Sequence, residues 1–302
     1  MKLSAVIVTY NRNDMLKKCL MSLIDRQTDP PDEVVIVNAG DQNAQQIADE
    51  FASRGTEIKV IRTPNKSLTA NRNAGIKASS YELIAFTDDD CEVNPAWVKM
   101  FRDAYAEGGG HIGSMGGVVI DAAEEGLTHS IDEISMTISD YYDRKASPFC
   151  MYFRTANVCY SRKAVEEAGY FDEDFKRTSA DDLDLGLKLL LAGYQNRYCP
   201  DNYIEHYGRT TLGQLLRRLF SYGCDMYKVM KRFRGTRLEG FGKVRTSVFY
   251  LISSIFTGPF VDAYHLYGKQ PLWKLLFYSF ILHFFVKTGV LYERIFKGGS
   301  VE

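Results

Sequence analysis

Three consecutive aspartates, Asp88-Asp89-Asp90, follow the apolar run 83–87. In an extended segment residues i and i+2 point the same way, so Asp88 and Asp90 can face one site together. Two carboxylates held close repel each other unless a cation lies between them. Hard oxygen ligands select Mg²⁺ or Mn²⁺, ions that hold a substrate's diphosphate alongside one or two carboxylates. An acidic triplet taken alone is an ordinary surface turn. Here the polar clusters Thr9-Tyr10-Asn11 and Asn38-Ala39-Gly40-Asp41 end two other apolar runs, and that company favours a site. Three further signals are weaker singly. In Asn71-Arg72-Asn73-Ala74-Gly75, Arg72 can hold a phosphate or orient an aspartate, since guanidinium pairs with planar oxyanions. Asp181-Asp182-Leu183-Asp184 opens a helix, where one carboxylate serves the helix dipole and a second, if it faces the site, can act as a general base. His206 ends a short strand and becomes a metal ligand only if the aspartate triplet lies beside it.

The elements that must position these groups follow from periodicity. Residues 3–9, 33–38, 57–62 and 83–87 are short apolar runs rich in β-branched residues. Helical spacing over 14–24, 42–52 and 67–78 separates them. Apolar strands alternating with helices predict a parallel, doubly wound α/β sheet, in which ligands bind at the carboxyl ends of the strands. All three polar clusters should then share one edge. Later the pattern is mixed: strands over 117–120, 151–160 and 203–206, a helix over 181–191 closed by Gly193, and a basic helix over 211–233. The segment Gly108-Gly109-Gly110-His111-Ile112-Gly113 matches G-x-G-x-x-G, but a helix precedes it (95–107) and a strand follows, the reverse of a dinucleotide-binding turn. It is expected to be a loop over the site. The sequon Asn65-Lys66-Ser67 is attributed to chance.

Composition narrows the class. The chain has 302 residues, a formal charge of −1, 25% charged, 45% hydrophobic and 13% aromatic residues, which excludes a disordered, collagen-like or disulfide-scaffold chain. Six scattered cysteines without a C-x-x-C pair indicate a reduced, intracellular protein. The opening segment is too short and too polar for a signal peptide and is expected to be a strand.

As an ordered set, VIVTYNR (6–12), EVVIVNAGD (33–41), NRNAG (71–75), FTDDD (86–90) and ADDLDLGLKLLLAGY (180–194), followed by His206, resemble glycosyltransferase family 2 over roughly residues 1–225. The resemblance implies a GT-A fold (Rossmann-like, mostly parallel sheet). It also implies an inverting, hexosyl-transferring enzyme that takes sugar from a nucleoside-diphosphate donor. It places Thr9, Tyr10, Asn11 and Asn38 by the nucleotide base, Arg72 in the donor pocket, and Asp88 near ribose and metal, with Asp89 beside it. Asp90 is implied as metal ligand, His206 as an additional one, Asp182 as catalytic base, and Mg²⁺ or Mn²⁺ as cofactor. Two positions depart from the family's pattern. Asn38 stands where an aspartate is usual, offering both donor and acceptor to a base. Asp181 stands where the acidic pair usually begins with glutamate. The alternative reading is a non-catalytic sugar-nucleotide-binding or scaffold protein of the same fold.

The near-zero net charge hides an asymmetry. Residues 1–206 hold 22 Lys and Arg against 33 Asp and Glu, whereas residues 207–302 hold 15 against 5. The basic part, 226–302, also carries the most apolar stretches, 248–261 and 275–292, neither of which reaches ~20 clean apolar residues. It is read as a helical extension at the cytoplasmic face of a membrane, either a hairpin flanked by cations such as Arg232, Lys243 and Arg245 or a pair of interfacial helices. The expected partners are a nucleotide-sugar donor, a saccharide or lipid-linked acceptor, and a membrane surface, with no nucleic acid.

Overall fold

A computed structural model describes residues 1–40, 43–64, 67–122, 126, 128–131, 152–175, 180–208, 211–238, 248–266 and 271–297. Asp41, Gln42, Asn65, Lys66, Cys150, Lys243 and Arg245 lie outside the described residues. The chain divides into two compact units: Met1–Ala122, Ala146–Lys176 and Asp181–Gly208 form the first, and Ala123–Lys145, Arg177–Ala180 and Arg209–Glu302 the second. The boundary expected at 225 thus falls inside a helix of the second unit.

In the first unit the elements run β1 (Leu3–Thr9), α1 (Asn13–Leu20, extended by a π-helical turn), β2 (Glu33–Asn38), α2 (Ala44–Asp49), β3 (Glu57–Arg62), α3 (Leu68–Ala78) and β4 (Leu83–Asp88). There follow β5 (Cys91–Val93), α4 (Trp97–Gly108), β6 (Ile112–Asp121), β7 (Val158–Ser161), α5 (Arg162–Ala168), α6 (Asp181–Leu191) and β8 (Gln195–His206). The eight strands make one sheet in the order β3-β2-β1-β4-β7-β6-β8-β5. Strands β1 to β4 are parallel, β7 runs antiparallel between β4 and β6, and β6 and β8 are again parallel. Because β1 lies between β2 and β4, the winding reverses there, which opens a crevice at the carboxyl ends of β1 and β4.

The period of two is visible in the packing. Leu3, Ala5, Ile7, Val34, Ile36, Leu83 and Ala85 enter one hydrophobic cluster, while Val6, Val35, Val37, Ile84 and Phe86 enter the other. Helices cover both faces, which is why these strands read as continuous apolar runs. Phe86 anchors the second face, with its ring edge-to-face on Tyr160 and Phe171 at 6.0 Å from each. Truncating such a ring removes its burial and leaves a cavity. Phe86→Ala is therefore expected to lower the unfolding free energy by about 3–5 kcal/mol in chemical denaturation.

The later strands differ from expectation. A strand over 151–160 shrinks to β7, preceded by a 3₁₀ turn at Thr155–Asn157, and the strand at 203–206 grows to the 12-residue β8. Side-chain amides brace this half. Trp97 Nε1 donates to Asn157 Oδ1 at 2.8 Å, and Asn157 Nδ2 donates to the carbonyls of Val118 and Asn202. Gly117 sits at the register shift between β6 and β8, where a Cβ would lie 1.7 Å from the Asn202 carbonyl oxygen. Only glycine lets the two strands pass so closely. The glycine triplet 108–110 joins α4 to the start of β6. That point is the amino edge of the sheet, so it is not a loop over the site, because β6 runs in the direction of β4.

Three helices of the second unit are α7 (Leu212–Arg232), α8 (Val248–His265) and α9 (Leu272–Tyr292). A capping box of Thr211 and Gln214 starts α7. Leu215, Leu219, Ala263, Leu266, Leu275 and Leu282 form its core. Helices α7 and α9 touch backbone to backbone: a Cβ on Gly223 would lie 2.0 Å from the Val286 carbonyl oxygen, and one on Gly289 2.1 Å from that of Phe220. Between α8 and α9 the buried Asp262 accepts hydrogen bonds from Ser279 and His283.

Candidate active site

The chain leaves β4 through a turn at Asp89 and Asp90 and returns as β5. Asp88 and Asp90 therefore converge across a turn, and not along an extended strand. β5 pairs with the end of β8 and sets His206 opposite Cys91, and β6 ends with Asp121 opposite His206. One ligand atom from each of Asp88, Asp90, Cys91 and His206 lies within 4.8 Å of the others. His206 Nε2 is 3.3 Å from Asp90 Oδ1, and the Asp90 carbonyl accepts from the Tyr207 N–H at 2.8 Å.

The electrostatics separate these four groups. Burial pushes the Asp88 carboxyl above its ordinary value, the neighbouring Asp90 adds to this, and Arg72 opposes it. Burial acts on Asp90 too, but the hydrogen bond and charge of His206 and the charge of Arg12 hold it below its ordinary value. The Cys91 thiol is driven well up by burial and by Asp88 and Asp90, so it stays protonated. Two carboxylates and an imidazole remain as donors, a set that fits Mn²⁺ or Mg²⁺.

Asp89 turns the other way. Its carboxylate accepts from Thr9 Oγ1 at 2.7 Å and from Arg12 Nη1 at 3.1 Å, and the same Arg12 nitrogen is 2.7 Å from Asp90 Oδ2. Asp89 is buried, and with these partners around it its carboxyl is nonetheless pushed up to about 6, chiefly by desolvation. Thr9 and Asp89, both read from the sequence as nucleotide-contacting, thus brace one strand end against the other. Arg12 went unsingled by the sequence reading. Its only signal was a cation directly after a strand tip facing three acids.

The loops after β1 and β2 are joined. The Ala39 N–H donates to the Thr9 carbonyl at 3.0 Å, and the Gly40 N–H to Asn38 Oδ1 at 3.1 Å. Asn11 takes φ +53°, a left-handed value asparagine tolerates, and packs on Gly40, where a Cβ would lie 2.4 Å from Asn11 Oδ1. Tyr10 is exposed at this rim and Asn38 is buried.

Helix α3 supplies the link to the far side. Gly75 lets it sit on β1, since a Cβ there would lie 2.4 Å from Val6 Cγ1. Asn71 accepts from Thr63 Oγ1, and Asn73 clasps both backbone groups of Phe171. Arg72, buried over the Phe171 ring, forms an ion pair with the buried Asp181 at the start of α6. The orienting of an aspartate, one of the two roles open to Arg72, is present in this pair. Its charge also reaches Asp88 and Asp182, so Arg72 stands electrostatically between the aspartate turn and α6. Asp182 is half-buried, accepts from the Leu183 N–H at 2.8 Å, and has its carboxyl raised to about 7 by burial and by the charge of Asp181. A carboxyl poised there can exchange a proton at neutral pH.

Known proteins place the chain in a family and a fold. Residues 4–169 match Glycosyl transferase family 2. The chain is 26% identical over 223 residues to a chondroitin synthase of Escherichia coli, a match covering 63% of this chain and 32% of that protein. The chain thus spans about a third of that synthase's length. It is 27% identical over 230 residues to the glycosyltransferase AglE of Haloferax volcanii, covering 75% of this chain and 73% of that one. In fold it is similar to S. aureus TarS 1–349 in complex with UDP-GlcNAc, with TM-score 0.53 and 17% identity, covering 97% of this chain and 92% of that one. It is also similar to GalNAc-T7 with UDP, GalNAc and Mn²⁺, with TM-score 0.56 and 13% identity, covering 90% and 59%. With the doubly wound sheet and its acidic carboxyl edge, the match over more than half its length makes this chain a member of glycosyltransferase family 2, an enzyme of GT-A fold with a helical C-terminal extension.

Proposed function

We propose that the enzyme transfers a sugar from a nucleoside-diphosphate donor to a hydroxyl of a saccharide or lipid-linked acceptor, with inversion at the anomeric carbon. The observation that carries this reading is Asp182, a half-buried carboxyl raised to about 7 at the start of α6, within reach of the charge of Arg72, which also acts on Asp88. In the reaction the Asp182 carboxylate takes the proton of the acceptor hydroxyl. The acceptor oxygen forms a bond to the anomeric carbon as the bond from that carbon to the diphosphate oxygen breaks, and the diphosphate leaves with the electron pair. One displacement inverts the configuration. Asp88, Asp90 and His206 would hold Mn²⁺ or Mg²⁺, which supplies positive charge to the diphosphate as its leaving oxygen becomes negative. The rim of Tyr10 and Asn11, with Asn38 buried behind it, is suited to the nucleotide base.

The family match favours an enzyme over a binding protein, and a raised carboxyl at Asp182 suits a general base. The membrane reading rests on the second unit. Leu272–Lys297 is long and apolar enough to cross a bilayer, and residues 207–302 carry the chain's basic excess. Both fit work at the cytoplasmic face of a membrane in polysaccharide or glycoconjugate assembly.

A panel of nucleotide sugars tested by thermal shift, with and without Mn²⁺, examines the donor site. At about 100 Kd a ligand of the folded state adds about 2.7 kcal/mol, a rise of several degrees. The rise is expected for one donor and only with the metal, and Asp90→Asn is expected to abolish it. A metal-independent shift, unchanged in Asp90→Asn, would remove these residues from the metal's ligand set.

A further inference from the structure

The second unit exposes an apolar surface of unusual continuity. On α8, Ile252, Phe256, Phe260 and Tyr264 recur every four residues, and on α9, Trp273, Phe277, Phe280 and Phe284 recur every three or four, with exposures from 38% to 80%. Phe280 lies 6.1 Å from Phe256 and 6.1 Å from Phe284, so the two rows join. The opposite sides of both helices hold the core of the unit, through residues such as Ala263 and Leu275. Each helix thus carries apolar side chains on its core side and on an outer side, the outer one unpartnered among the described residues. Such a face marks a contact with another apolar phase.

Charge identifies that phase. The π-helical turn that follows α9, Glu293–Lys297, carries Ile295 and Phe296 outward, and beside it opens a cavity of about 320 Å³. Tyr227, Lys228, Lys231 and Arg232 of α7 line it, together with Glu293 and Lys297. Four cations face one lining carboxylate, and Lys228 is anchored by the buried Asp225 at 2.8 Å. A basic cavity just beyond a helix whose outer side is aromatic, with room for a lipid headgroup, has the layout of a bilayer interface, where apolar rings sit below the level of the phosphates.

We infer that this cavity binds the phosphate of an anionic phospholipid headgroup while the α8 and α9 rows enter the interfacial layer of the bilayer. The inference rests on the membrane reading above and adds a defined headgroup site to it. A lysine or arginine beside an anionic surface contributes enough that removing two weakens binding by about tenfold or more.

The test is flotation of the full-length chain with phosphatidylcholine vesicles, with and without phosphatidylglycerol. Binding is expected to be tighter with phosphatidylglycerol, and Lys231→Gln/Lys297→Gln is expected to abolish that preference. Arg217→Gln/Arg218→Gln removes the same charge several turns away on α7 and is expected to keep most of it. Equal loss in both double variants would overturn the cavity as a site, leaving diffuse attraction. Binding to both vesicles without preference would overturn the headgroup site and leave membrane association intact, whereas no binding to either would overturn both. Donor hydrolysis measured on the same samples reports separately on the glycosyl-transfer reading and confirms that each variant is folded.

Discussion

Asp182→Asn is expected to lower kcat for sugar transfer by about 10²–10⁴, the usual worth of a positioned general base, with donor affinity kept within a few-fold. Asparagine matches the carboxylate in shape and can still accept from the Leu183 N–H through its side-chain oxygen. What it loses is the capacity to take a proton. The wild-type pH dependence supplies the second half of the prediction. A base acts only when deprotonated, and Asp182 titrates at about 7, so kcat/KM is expected to rise with pH through that value and level off above it. In Asp182→Asn that ascending limb should vanish from whatever activity remains. Steady-state rates across pH, with donor affinity measured by calorimetry, check both statements. Near-normal turnover in the variant would mean that another group accepts the proton.

The parts of this site that were legible in the sequence are those written in local pattern. Strands β1, β2 and β4 announce themselves as unbroken apolar runs because helices bury both faces, and their polar tips then mark the carboxyl edge without further information. Asp88, Asp90 and Asp182 were recognisable because each sits where such an element ends or begins. The partners were not legible. Arg72 and Asp181 are 109 residues apart, and Thr9 and Asp89 are 80 apart. Pairings of that range are decided by how α3 and β1 pack, which depends on a missing side chain at Gly75. The first part of strand β8, before the expected 203–206, was hidden for a different reason. Pro200 and Asp201 break its apolar pattern, and its buried members include Asn196 and Asn202, amides satisfied by Ser114, Gly186 and Asn94. Such residues read as loop when their partners are unknown. The placement of His206 and Asp121 together depends on that strand and could only be found in three dimensions.

Arg72→Ala should then be the most damaging change outside the reacting groups themselves. Both members of the Arg72–Asp181 pair are buried, and removing one leaves an uncompensated charge where water does not reach. Breaking a buried pair from one side costs about 3–5 kcal/mol, which chemical denaturation would read directly. Activity should shift as well as fall. Arg72 favours the ionised forms of Asp182 and Asp88, so without it Asp182 holds its proton more tightly. The sign is therefore an ascending pH limb displaced above 7, with less active base at neutral pH. Arg72→Lys restores the charge but not the planar fork over Phe171, and an intermediate loss with a smaller displacement is expected. The double variant Arg72→Ala/Asp181→Asn removes both charges and should recover part of the stability lost in Arg72→Ala alone, a non-additivity that a purely steric role would not produce. If Arg72→Ala melted like the wild type and kept its pH limb, the link between the aspartate turn and α6 would have to run through other residues.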